Sequence, residues 1–112
     1  MNRQKVIDEI GKCVLQDRNA DYGTPEDNFA DTAAIWTIYL RRRGLLAKDK
    51  TLTSKDVAAL MVGLKMARLG ASPNKLDNWV DLGGYAVCGG EVAAFETARD
   101  AALSKKIVFK DD

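Results

Sequence analysis

The sequence predicts an all-α fold, a four-helix bundle. Apolar residues recur at three- and four-residue spacing in four separate stretches, and each stretch is bounded by capping residues, glycine or proline. No run alternates apolar and polar residues for long enough to build a sheet. The connections between the stretches are short, as between neighbouring helices of a bundle. The 112 residues fit one domain over 1–112, with 103–112 as a C-terminal tail.

The first helix is expected from Gln4 to Asp17, where Val6, Ile10, Cys13 and Val14 form a stripe that Ile7 and Leu15 widen. The turn-rich stretch DRNADYG, residues 17–23, ends it. The second helix opens with Thr24 as N-cap, Pro25 at the first helical position and Glu26 and Asp27 in the first turn. Phe29, Ala33, Trp36 and Leu40 supply its stripe, Arg41, Arg42 and Arg43 suit its C-terminal dipole, and Gly44 stops it. After a connector over 45–52, Thr53 caps the third helix with Asp56 at the capping-box position. Val57, Leu60, Met61 and Leu64 are its expected apolar face, and Gly70 its end. The turn ASPN, residues 71–74, leads into a fourth helix capped by Asn74 and running from Lys75 to about Leu103. The tail SKKIVFKDD holds one apolar run, Ile107 to Phe109, a packed strand or a docking segment.

Composition narrows the chemistry. With 46% hydrophobic and 29% charged residues the chain is globular rather than disordered. A formal net charge of +1 provides no global field for nucleic acid or an anionic membrane, and no apolar run approaches the 18 residues of a membrane span. The N-terminal stretch alternates charge with apolar residues and lacks a signal-peptide core, so a cytoplasmic protein is expected. Cys13 and Cys88 sit in apolar helical patterns and are expected as reduced, buried thiols. The absence of histidine excludes histidine catalysis and histidine-ligated zinc, leaving carboxylates, lysine, arginine, tyrosine and cysteine.

The most unusual stretch is DNWVDLGGYAVCGGE, residues 77–91. Asp77 and Asp81 are four apart and share a helix face, an arrangement that can hold Mg²⁺ together with a phosphate. First-turn capping accounts equally well for Asp77, whereas Asp81 lies a turn deeper among apolar neighbours, as a functional or salt-bridged acid. Glu91 lies near the same face and can join them. Gly83, Gly84, Gly89 and Gly90 strip side chains from the helix, which serves close helix packing or a slot for a nucleobase lined by Trp79 and Tyr85. On the third helix Lys65 and Arg68 are one turn apart and can clamp phosphates, or simply complement the helix dipole. In DYGTPEDNF, residues 21–29, Tyr22 and Asn28 can hydrogen-bond a base or ribose, unless the stretch is only a capped turn. The RRR run, residues 41–43, is read as a solvated helix end.

Taken together, DRNADYGTPEDNF, Trp36, TSKDVAALMVGLKMARL and DNWVDLGGYA resemble a phage and prophage family of uncharacterised helical proteins, over roughly residues 5–90. The architecture is similar to the MazG-like all-α nucleoside triphosphate pyrophosphohydrolases, which hold Mg²⁺ on two acidic helix motifs and release pyrophosphate. The resemblance puts Asp77 and Asp81 at the second acidic motif, but spaced by four rather than three. The third helix departs further, carrying Lys65 and Arg68 in LKMARL where the first acidic pair belongs. The metal set is then either rebuilt from Asp56, Asp77, Asp81 and Glu91 or lost. Three readings follow: a Mg²⁺-dependent pyrophosphohydrolase of an NTP or dNTP, with Asp81 and Asp77 catalytic; a protein that sequesters a nucleotide or cyclic dinucleotide intact; and a structural or interaction module. The small core and small-residue faces favour a homo-oligomer.

Overall fold

The computed structural model describes residues 2–17 and 25–111. It is all-helical: among the described residues there are four α-helices and no strand. They are α1 (Arg3–Lys12), α2 (Pro25–Arg42), α3 (Ser54–Ala71) and α4 (Leu76–Asp111). No helix of the described residues is long and apolar enough to cross a membrane.

Local chemistry sets most of the boundaries. Asn2 caps α1, its side chain accepting the Lys5 N–H at 2.9 Å. The helix does not continue regularly to Asp17, as the pattern predicts, but changes to a π-helical turn over Cys13–Asp17. Helix α2 starts at Pro25, whereas Thr24, its expected cap, lies outside the described residues. Its far end closes as a Schellman motif: the Leu45 N–H reaches Leu40 O at 2.9 Å and the Gly44 N–H reaches Arg41 O at 3.0 Å. Gly44 has φ 73°, the left-handed geometry that glycine adopts without a Cβ penalty. The Arg41 side chain then turns to the connector, donating to Lys50 O and Thr51 Oγ1. The expected capping box of α3 is present, with Thr53 Oγ1 accepting from Asp56 N and Asp56 Oδ2 accepting from Thr53 N.

The final helix differs from expectation at both ends. It begins at Leu76, one residue later than the sequence predicts, and Asn78 rather than Asn74 fastens the preceding turn by donating to Ser72 O at 3.1 Å. It also runs helical to Asp111, past the expected end near Leu103, so the tail is not the strand that was one of its two expected forms.

Helices α3 and α4 form an antiparallel hairpin, with Lys65 beside Asp81, Ala58 beside Gly89 and Lys55 beside Glu96. Helices α1 and α2 pack onto it around Val14, Phe29, Ala33, Val57, Ala58, Cys88 and Val92. Thr37, also buried, uses its hydroxyl to accept the Leu52 N–H at 3.0 Å, tying the connector to α2. Several expected core residues face water instead: Ile7 and Leu15 on the first helix, and Leu60 and Leu64 on α3. Helix α3 turns Val57, Ala58 and Lys65 inward, and Leu60 and Leu64 fall at the edge of that face, open to water. Cys88 is buried and Cys13 only half-buried, and neither is in a disulfide.

The glycines of α4 divide by what lies over them. A methyl on Gly83 would sit 2.5 Å from Ile10 Cδ1, one on Gly84 3.3 Å from Val14 Cγ1, and one on Gly89 3.0 Å from Ala58 Cβ. These three let the first helix and α3 approach α4 closely, while Gly90 opens onto empty space.

Candidate functional site

The strongest concentration of chemistry lies on the seam between α3 and α4. Lys65 belongs to the inward face of α3 and is only 8% exposed. An ammonium taken that far from water needs a partner. It finds one across the seam, donating to Asp81 Oδ2 at 3.2 Å. The Lys65 nitrogen also lies 6.0 Å from the centre of the Tyr85 ring, within cation–π range. Tyr85 in turn stacks on Phe29 of α2 at 6.3 Å between centroids. Three helices therefore hold this cluster, and Phe29, read from the sequence only as part of a core stripe, is the wall behind it.

The two charges are unequally buried. The Lys65 side chain is 11% exposed, and that of Asp81 44%. The ammonium is thus held from inside while its carboxylate partner is open to solvent. Arg68 and Asp77 each lie one turn further towards the connection between the helices, and both are exposed. Neither has an ion pair among the described residues. Each also suits its helix end, Arg68 in the last turn of α3 and Asp77 in the first turn of α4.

The remaining candidates are dispersed. Trp79 is half exposed and its indole N–H donates to Pro73 O at 2.8 Å, bracing the turn between α3 and α4. Six residues along a helix place Trp79 and Tyr85 about two-thirds of a turn apart, so they do not line a common slot. Asn28 lies beside Phe29 in α2, half-buried, with its carbonyl accepting from Thr32 Oγ1. Tyr22 lies outside the described residues. Asp56 is committed to the capping box of α3. Glu91 is exposed and about 15 Å along α4 from Asp81.

Among the described residues a metal site built from protein alone is therefore not assembled. Among the described residues no three acidic, cysteine or histidine side chains converge to hold an ion. What remains is Asp81 with Asp77 one turn away, a pair that can hold Mg²⁺ only when a phosphate completes its oxygen shell. The sequence gives no direct sign that Lys65 and Asp81 meet, since they are 16 residues apart on different helices. Asn78, buried and closing the turn, is equally unmarked in the sequence.

The chain is 32% identical over 85 residues to the "Gene 55 protein" of Mycobacterium phage D29, an alignment covering 76% of this chain and 51% of that protein. It is 36% identical over 69 residues to the "Gene 55 protein" of Mycobacterium phage L5, covering 62% of this chain and 40% of that protein. The chain thus spans about half the length of these relatives or less. No solved structure matches it. Residues 5–93, which include Lys65, Arg68, Asp77, Asp81 and Tyr85, match the domain of unknown function DUF6378, and the chain belongs to that family.

Proposed function

We propose that this protein binds a nucleotide through its phosphates at the α3–α4 seam and holds it without cleaving it. One observation carries the reading. Lys65 is a nearly buried ammonium whose carboxylate partner is open to solvent, with a tyrosine ring beside it. An ammonium has three donors, so a phosphate oxygen entering at the open side can share it with Asp81. Arg68, one turn away, adds a planar fork of donors for a second phosphate oxygen, and Tyr85 offers a ring edge or face to the base. NTPs, dNTPs and cyclic dinucleotides all present the required anion. A phage protein of this kind would act in the host cytoplasm, withdrawing a nucleotide signal used in defence.

A second reading has its own support in Asp77 and Asp81, two acids on one helix face with a cation next to them. With Mg²⁺ delivered by the substrate, this pair would serve a pyrophosphohydrolase like the MazG-like enzymes. The ion would supply Lewis-acid stabilisation of the charge that develops on the phosphate. Sequestration ranks first because Asp81 is already engaged by Lys65, and neither Asp56 nor Glu91 stands near enough to complete a metal set.

Incubating the protein with each NTP, each dNTP and several cyclic dinucleotides, with Mg²⁺ or Mn²⁺, separates the readings. Native mass spectrometry reads bound ligand and chromatography reads products. Intact ligand, lost in Lys65→Ala and Arg68→Ala, is the expected result. Monophosphate and pyrophosphate that disappear with Asp81→Asn would establish the hydrolase instead. Neither ligand nor product would sink both and leave the Lys65–Asp81 pair as a device that fixes helix register.

A further inference from the structure

Helix α2 has a second apolar face that its own chain does not cover. Phe29, Ala33 and Thr37 point inward and are buried. On the opposite side Ile35, Ile38 and Tyr39 are 65%, 63% and 61% exposed. Their neighbours on that side are Asp31 and Arg42, both exposed and without an ion pair or side-chain hydrogen bond among the described residues. The nearby Arg41 differs, because its guanidinium is committed to Lys50 and Thr51.

The order of these residues is self-complementary. Asp31, Ile35, Ile38 and Arg42 follow one another at spacings of four, three and four, which keeps them on one stripe of an α-helix. The pattern is symmetric about the midpoint between Trp36 and Thr37, except that one end carries a negative charge and the other a positive charge. A second copy laid antiparallel on this face therefore sets Asp31 against Arg42 at both ends and Ile35 against Ile38 in the middle. That is the property a two-fold interface requires, since the same patch must fit itself. A parallel arrangement would instead oppose like charges.

A net charge of +1 leaves little repulsion between copies.

We propose that the chain forms a two-fold homodimer through antiparallel α2 helices, with Asp31 and Arg42 as its mutual charge pairs and Ile35 and Ile38 as its apolar centre. Sedimentation equilibrium of the full chain tests it, with far-UV circular dichroism checking that each variant stays folded. Wild type is expected at twice the 12.3 kDa chain mass. Asp31→Arg opposes two arginines at each end and should raise the dimer Kd about tenfold or more. The swap Asp31→Arg with Arg42→Asp should return it to within about threefold of wild type, because both pairs re-form with reversed sign. Ile35→Glu should raise Kd about 100-fold, with no charge partner to restore it. A monomer at all concentrations would overturn the proposal. So would a dimer indifferent to Asp31→Arg, which would move the interface to another exposed face such as Leu60 and Leu64 of α3. A loss that the double swap does not restore would refute the antiparallel pairing.

Discussion

Gly89 and Gly90 are adjacent in one helix, yet an added methyl should have opposite effects at the two sites. In either position, alanine relieves a helix-interior glycine and contributes about 1 kcal/mol. At Gly90 nothing lies within 4 Å of the new carbon, so the gain is expressed nearly in full, at about 0.5–1 kcal/mol of added stability. At Gly89 the new carbon meets Ala58 Cβ at 3.0 Å, about 0.5 Å inside ordinary carbon–carbon contact. Ala58 has no rotatable side chain with which to retreat, so α3 and α4 must move apart. Overpacking of this kind costs about 1–3 kcal/mol, which outweighs the propensity gain and leaves Gly89→Ala about 1 kcal/mol less stable than wild type. Urea unfolding at one fixed protein concentration measures both, since association would make stability concentration-dependent. The pair Ala58→Gly with Gly89→Ala moves the methyl across the seam and should show a coupling of about 1–2 kcal/mol in its favour. Equal stabilisation by Gly89→Ala and Gly90→Ala, with no coupling to Ala58, would show that the helices do not approach at Gly89 and refute the packing account of that glycine.

Other positions carry their own expectations. Thr37→Val removes the buried acceptor of the Leu52 N–H and should cost about 1–2 kcal/mol in the same urea experiment. Gly44→Ala forces a side chain into left-handed backbone and should cost about 1 kcal/mol, most of it in α2 helicity near its C-terminus. Asp81→Ala should destabilise by about 1–2 kcal/mol, less than for a fully enclosed pair because the carboxylate is half open to water. Lys65→Met with Asp81→Leu should then recover wild-type stability or exceed it while abolishing nucleotide binding, and equilibrium dialysis beside urea unfolding separates those two effects.

Much of the fold is written locally and was legible for that reason. Thr53 and Asp56 bond each other within three residues, Pro25 opens a helix through its own fixed φ, and Gly44 closes one through its own freedom at φ 73°. Facing was harder to read. Between Val57 and Ala71 only Lys65 and Arg68 are charged, so α3 is apolar nearly all round and periodicity cannot select its inner side. The side that packs is the one bearing small Ala58, which lets α4 close in at Gly89, and that choice belongs to the partner helix. The same limit applies to the site. Asp81 was legible as an acid in apolar company, but Lys65 as its partner depends on the register of the hairpin. The tail failed for a different reason. Ile107, Val108 and Phe109 favour strands locally, yet they extend a helix already running through Ala101 and Ala102, and propagation costs less than starting anew.

The seam and the outer face of α2 sit on opposite sides of one helix, and that arrangement makes the two proposals separable. Phe29 is on the inward side of α2, stacked on Tyr85, which places the seam cluster behind α2 as seen from Ile35 and Ile38. A helix with its side chains is about 10 Å across, so a second copy docked on Ile35 and Ile38 has the width of α2 between it and Lys65. Each copy then carries a complete site, and association contributes no residue to it. Asp31→Arg, diluted to a concentration at which it is monomeric, should therefore bind nucleotide with an affinity within about twofold of wild type at one ligand per chain. Isothermal titration of the two proteins checks this. A monomeric variant that folds but no longer binds would mean that the ligand site is shared between copies, and the one-chain geometry assigned to Lys65, Arg68, Asp77 and Asp81 would fall with it.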